Sequence, residues 1–256
     1  MAIHRNQSFG NMSPRQKMIN LMYIVLTAML ALNVSSDVLN GFNQVQQGLT
    51  RTNNTLTARN RALLGELEAF YNKFPKTGKQ WLDEGIAVTN ASDSLYDYIE
   101  QLKLEIVRKA DGPQGKVDHI ENQENLDAAS QIMLPPTGKK GHELKMRIER
   151  YRDYVMSLLG DPQKQQSVEN ALSTANVKTK DGTKKWEESL FEKMPTIAAV
   201  TLLSKLQNDI RFSEGVVLNQ ILSGLDTGEL RVNSVEAFVV PQSRIVMRGQ
   251  KYSANI

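Results

Sequence analysis

From Met18 to Val34 no side chain carries a charge, and this apolar run constrains the chain more than any other feature. Its polar members are Asn20, Tyr23, Thr27 and Asn33. A bilayer core of roughly 30 Å needs about 20 helical residues. The run alone is slightly short, so a span here borrows from its flanks, and a transmembrane helix is expected over 15–36. Arg5, Arg15 and Lys17 precede the run, and the first acidic residue is Asp37. No Lys or Arg follows Lys17 until Arg51. That asymmetry puts residues 1–14 in the cytoplasm as a stub and everything after Ser36 outside. The run exceeds a signal-peptide core of about 7–15 residues and no Ala-x-Ala site follows, so an uncleaved anchor is expected.

Ser13-Pro14-Arg15 reads as a helix start, with Ser13 as N-cap and Pro14 at the first helical position. Thr27, Ala31 and Ser35 recur every four residues, a spacing of small side chains that permits close helix packing. Arg15, Ile19 and Tyr23 form a ridge at the same spacing, placing guanidinium and phenol on broadly one side. The helix is expected to continue past the membrane. Phe42, Leu49, Leu56, Leu63 and Phe70 repeat every seven residues, with Val45 and Leu67 beside them. The positions Thr52 and Arg59 argue against a strict two-stranded coiled coil. Pro75 ends this helix, with Gly78 following.

A second seam carries Trp81, Val88, Leu95, Ile99, Leu102 and Ile106, and stops at Ala110-Asp111-Gly112-Pro113. A polar helix is expected near Glu121–Met133. A third long helix runs from about His142 to Leu159, with Leu144, Ile148, Tyr151, Val155 and Leu158 inward. Shorter helices follow near 163–175 and 184–193. The last long helix starts after Pro195 and is expected to break between Gly224 and Gly228. Residues 37–225 thus read as a bundle of four long antiparallel helices plus short ones. From 229 to 256 the pattern turns Val-rich, with strands expected at Val232–Val240, Arg244–Met247 and Lys251–Ile256. Three strands do not close a sandwich, so this segment reads as the start of a truncated β domain. The fold class is mostly α: one membrane helix, a periplasmic bundle, then the start of a β-sandwich-like domain.

Little here points to catalysis. There is no cysteine, and His4, His119 and His142 stand far apart in polar contexts. No H-E-x-x-H, Gly-x-Ser-x-Gly or Walker-type motif occurs. Glu121, Glu124 and Asp127 share a helical spacing that a solvated face explains. No enzyme, metal or cofactor is expected, and a net charge of +3 is too small to argue for nucleic acid. The anchor carries no carboxylate. If it takes part in proton-driven work, the protonatable group belongs to a partner, with Arg15 as counter-charge and Tyr23 as hydrogen-bond donor. As a plain topology determinant, Arg15 needs no such role.

The run Ser13-Pro14-Arg15-Gln16-Lys17-Met18-Ile19-Asn20-Leu21-Met22-Tyr23, followed by Ala31-Leu32-Asn33-Val34-Ser35, resembles the N-terminus of the GldM/PorM family. These are gliding-motility and type IX secretion proteins of Bacteroidota. The resemblance extends over the whole chain. It implies an inner-membrane homodimer whose two helices sit inside a ring, a pentamer, of GldL/PorL-type subunits. Proton flow through that ring implies rotation of the dimer. Its periplasmic part then passes work to outer-membrane components such as GldK/GldN-type proteins. It further implies that Arg15 and Tyr23, with Lys17 and Asn20 nearby, face the ring's carboxylate. A passive membrane-anchored scaffold or adhesin is the alternative, and needs no polar membrane face.

Overall fold

The computed structural model describes residues 13–32, 36–179, 182–229, and the short pairs 240–241 and 254–255. Helix α1 spans Pro14–Leu32 and α2 spans Ser36–Lys73. Ser13 caps α1 as expected: its Oγ accepts from Gln16 N at 3.3 Å and its carbonyl from Lys17 N at 3.0 Å. Residues 33–35 lie outside the described set, and with them the expected continuity of α1 into α2.

Three long helices make the body: α2, α3 (Pro75–Asp111) and α8 (Thr196–Glu229). Pro75 ends α2 and opens α3, where its missing N–H costs nothing. The chain reverses there in one residue, and Phe70 and Phe74 pack at 5.2 Å between ring centroids. Gly78 permits the reversal, since a Cβ there would stand 2.8 Å from Tyr71 Cα. Along α3 the expected seam is the core: Val88, Ile99, Leu102 and Ile106 are fully buried, and Leu95 nearly so, while Trp81 is half-buried.

Between α3 and α8 come α4 (Ala128–Met133), α5 (Lys140–Leu158), α6 (Pro162–Ala171), a hairpin β1 (Val177–Thr179)–β2 (Gly182–Lys184), and α7 (Trp186–Phe191). The strands pair antiparallel, Val177 opposite Lys184, and neither is buried. This hairpin was not anticipated; three-residue strands carry too little alternation to read. Helix α5 presents Leu144, Ile148, Tyr151 and Val155 to the core. Leu159, not Leu158, is the buried residue at its end. The expected helix from Glu121 shrinks to α4. Asp111 accepts from Glu121 N and Asn122 N, at 2.9 and 2.8 Å, and Asn125 Oδ1 accepts from Asp127 N and Ala128 N, each at 2.9 Å. Those side chains take up the backbone donors and hold the segment as turns.

Two further expectations change. Helix α8 does not break at Gly224 but runs to Glu229; an isolated helical glycine costs only about 1 kcal/mol. The bundle is also not antiparallel throughout. Thr201 bonds to Phe42, Asn53 to Ser204 and Asn60 to Arg211, so α2 and α8 rise together and run parallel. A long excursion separates them in sequence, so no tight turn dictates their relative direction. α3 runs against both, with Lys103 at Ser204 and Asp93 at Arg211. Of the expected β segment, β3 (Val240–Pro241) pairs antiparallel with β4 (Ala254–Asn255). The rest of 230–256 lies outside the described residues.

Ile99 is fully buried amid α3, so Ile99→Ala should lower stability by about 2–5 kcal/mol. Urea denaturation followed by circular dichroism measures this, and a loss below about 1 kcal/mol would contradict the assigned core.

Candidate functional site

From Met18 to Leu26, helix α1 carries apolar side chains around its axis, with Asn20 the one amide among them. Met18, Ile19, Leu21, Met22, Tyr23, Ile24, Val25 and Leu26 are all exposed, Met22 to 71%. Arg15 and Lys17 are exposed at its start, and Asn20 is half-buried. Among the described residues no helix is long and apolar enough to cross a membrane. α1 comes nearest, but its 19 residues include Arg15, Gln16 and Lys17 in the first turn. The expected span of 15–36 also includes residues outside the described set.

The two ridges expected on α1 form one row, because Thr27 stands four residues after Tyr23. Four helical residues turn about 400°, so the row drifts by about 40° per step. Arg15 and Tyr23 therefore stand closer to one another around the axis than Arg15 and Thr27. The Thr27 hydroxyl donates to Tyr23 O at 2.7 Å, with Ile24 O at 3.0 Å. It is satisfied within its own helix. Of the other packing candidates, Ala31 belongs to α1 by its backbone alone and Ser35 lies outside the described residues.

The bundle holds a second polar constellation that sequence reasoning missed. Along α2 the buried residues are Leu39, Asn53, Asn60 and Leu67. The heptad leucines and Phe42 flank that line and are only half-buried. Two of the four deepest positions are thus amides. Asn53 Nδ2 donates to Ser204 O at 3.1 Å, and Asn60 Nδ2 to Arg211 O at 2.8 Å. Asn208 Nδ2 donates to Asn53 Oδ1 at 3.1 Å. The two contacts to α8 repeat after seven residues on both helices, fixing the register as a buried polar position does in a coiled coil. The legible signal was the seven-residue spacing of Asn53 and Asn60 themselves.

On the α3 side Lys103 is 5% exposed and donates to Gln207 Oε1 at 2.9 Å and Ser204 Oγ at 3.2 Å. Glu100 pairs with Lys103 at 2.7 Å and accepts from Gln207 Nε2 at 3.0 Å. Higher up, Arg211 pairs with Asp93 at 2.7 Å and Glu214 at 2.8 Å, and lies 4.6 Å over the Tyr96 ring. The Tyr151 hydroxyl reaches Ser92 Oγ at 2.8 Å, and burial pushes its pKa up. Burial also raises the Glu214 carboxyl above its ordinary 4.5, against the pull of Arg211 and Asn60. This network joins α2, α3, α5 and α8 by directional contacts that tolerate no sliding.

His119 and His142 are not brought together with any acidic cluster: among the described residues no group of His, Cys, Asp or Glu is placed to hold a metal ion. His4 lies outside the described residues.

Two outcomes test the network. Asn60→Ala should cost about 1–3 kcal/mol in urea denaturation, whereas exposed Asn54→Ala should stay within about 0.5 kcal/mol. Equal losses would remove the special standing of Asn60. A carboxyl with a raised folded-state pKa keeps its proton in the folded chain where the unfolded chain has lost it, so its contribution to stability falls as pH rises. Wild type should lose stability relative to Glu214→Gln as pH climbs from 4.5 through the raised value. Parallel pH profiles of the two proteins would contradict the assignment.

A family model described as the GldM N-terminal domain matches residues 37–224. No curated protein gives a match.

Proposed function

The chain belongs to the GldM family, and on that premise we propose that it is the transmitting subunit of a motor driven by the proton motive force. Family membership makes it a component of gliding motility and type IX secretion. The finer reading is that α1 is the inner-membrane anchor, N-terminus in the cytoplasm, and that the bundle is a periplasmic lever which α1 moves.

One observation carries this reading. A helix whose apolar side chains from Met18 to Leu26 are exposed precedes, in sequence, a 38-residue helix pinned to its neighbours by buried polar contacts. The exposed surface of α1 needs a cover, and lipid or other membrane helices supply one. Helix α2 extends about 57 Å at 1.5 Å per residue. Its amide contacts to α8 oppose sliding, so displacement at its start passes to the whole bundle.

The proton step needs a carboxylate that α1 does not possess, since no Asp or Glu precedes Asp37. A ring of GldL/PorL-type subunits around a homodimer of this chain supplies it. Arg15 serves as counter-charge, and Tyr23 as hydrogen-bond donor on the same side, with Lys17 and Asn20 near them. Moving one charge through 100 mV releases about 2.3 kcal/mol. That suffices to break and remake an ion pair of moderate strength. Two helices inside a five-fold ring meet inequivalent neighbours, and that asymmetry is the basis for stepping in this reading. GldK/GldN-type proteins are the periplasmic recipients of the work.

Secretion in cells that assemble the complex tests this. Arg15→Ala and Tyr23→Phe should impair secretion while the complex still purifies intact, and Arg15→Lys should separate charge from guanidinium geometry. Normal secretion by both Arg15→Ala and Tyr23→Phe, or full function after exchange of α1 for an unrelated anchor, would leave a passive scaffold as the better account.

A further inference from the structure

Three helix ends meet where the chain enters the bundle: the start of α2, the end of α3 and the start of α8. Segment 112–127 ties them together as a strap. Asp111, the last residue of α3, holds the strap by accepting from Glu121 N at 2.9 Å and Asn122 N at 2.8 Å. The main chain of the strap then caps α8. Asn125 O accepts from Thr196 N at 3.0 Å, and Gln123 O from Ile197 N at 3.3 Å. Two N–H groups that a helix start leaves without intrahelical partners are thereby satisfied. Ile120 of the strap joins Leu39, Val107, Ile197 and Val200 in a small apolar cluster separate from the main core.

The tie to α2 differs in kind, because side chains make it. Asn43 Nδ2 donates to Gln123 Oε1 at 2.7 Å, and Gln123 Nε2 donates to Ile120 O at 3.1 Å. One amide thus joins the backbone of the strap to α2. Helix α8 itself holds this stretch loosely: the Thr201 hydroxyl lies 3.5 Å from Phe42 O but makes its shorter bond, 2.8 Å, to Ile197 O. After Leu39 the next buried residue of α2 is Asn53. Between them a cleft of about 290 Å³ opens, with Gln47, Thr50 and Arg51 on the α2 wall and Val117 and Asp118 on the strap. The first turns of α2 are therefore held chiefly at Leu39 and at the Asn43–Gln123 contact. A cluster this small can open while the main core stays closed.

We propose that the Asn43–Gln123 contact is the coupling point at which displacement of α1 enters the bundle, with both amides acting as positioning residues for transmission. This rests on the reading of α1 as the moving element. With the contact made, a push on the start of α2 reaches α3 through Asp111 and α8 through its capped first turn. With the contact broken, the first turns of α2 yield and the bundle stays still. The Asn53 and Asn60 contacts lie further along. They keep the register of the body but do not recover motion lost before them.

Hydrogen exchange and secretion, both read on the full chain in the assembled complex, test this. Asn43→Ala removes the donor and leaves a better helix former in its place, and Gln123→Ala removes the acceptor. Each should speed amide exchange over 37–49 about two- to tenfold, the worth of one lost hydrogen bond. Residues 95–102 of the main core should exchange as in wild type. Each variant should also lose secretion while the complex still purifies intact. The charge pair Asn43→Lys/Gln123→Glu should restore both readouts, which a merely structural lesion would not allow. Unchanged exchange over 37–49, normal secretion by both alanine variants, or a loss that the charge pair does not restore would overturn the proposal. Arg15→Ala in the same cells separates that failure from failure of the motor reading. If Arg15→Ala blocks secretion while the strap variants secrete, the coupling point alone falls; if it secretes as well, the motor reading falls with it.

Discussion

The buried amide contacts between α2 and α8 are what the rest of the structure depends on. Asn53 and Asn60 each reach a main-chain carbonyl of α8, one heptad apart. Parallel helices joined by leucines alone accept several registers at similar cost, because apolar contact is not directional. A buried amide without its acceptor costs the full desolvation of the group, about 1–3 kcal/mol. Two such groups make one register far better than those displaced from it. Lys103, Gln207 and Arg211 extend the same logic to the oppositely directed α3, so the three helices are held as one body.

The rigidity of the body gives meaning to the exposure of α1. A short apolar helix beside a loosely packed bundle could move without consequence. Here the next element is α2, and α2 cannot shift without breaking contacts to α8. The polar features of α1 are sparse and placed early: Arg15 and Lys17 in the first turn, Tyr23 two turns further. Thr27 turns its hydroxyl inward to its own helix. On the proposed reading, the charged end is left to a partner that supplies a carboxylate.

The sequence made the long helices legible where apolar spacing was regular. Val88, Leu95, Leu102 and the tyrosine of α5 stand where periodicity put them. Pro75 and Asp111 ended their helices for local reasons that residue type reveals. Three things were hidden. The parallel pairing of α2 and α8 is set by tertiary packing across a long excursion. The turns before α4 depend on Asp111 accepting from residues ten and eleven places away. The polar seam was hidden because amides read as surface residues: the half-buried leucines drew attention from Asn53 and Asn60, which lie deeper. Ser13 and Pro14, by contrast, announced the start of α1 correctly.

The most direct measurement is the distance across the bundle while the complex works. The chain has no cysteine, so spin labels at Thr55→Cys and Lys205→Cys would be unique. Pulsed electron paramagnetic resonance on the full complex in energised and de-energised membranes would compare α2 with α8. With labelled chains diluted by unlabelled ones, so that only the α2–α8 distance within one chain is read, a bundle that moves as one body gives the same narrow distribution in both states. A shift or a second population that appears only with the membrane potential would contradict the account, because α2 and α8 would then be sliding past each other.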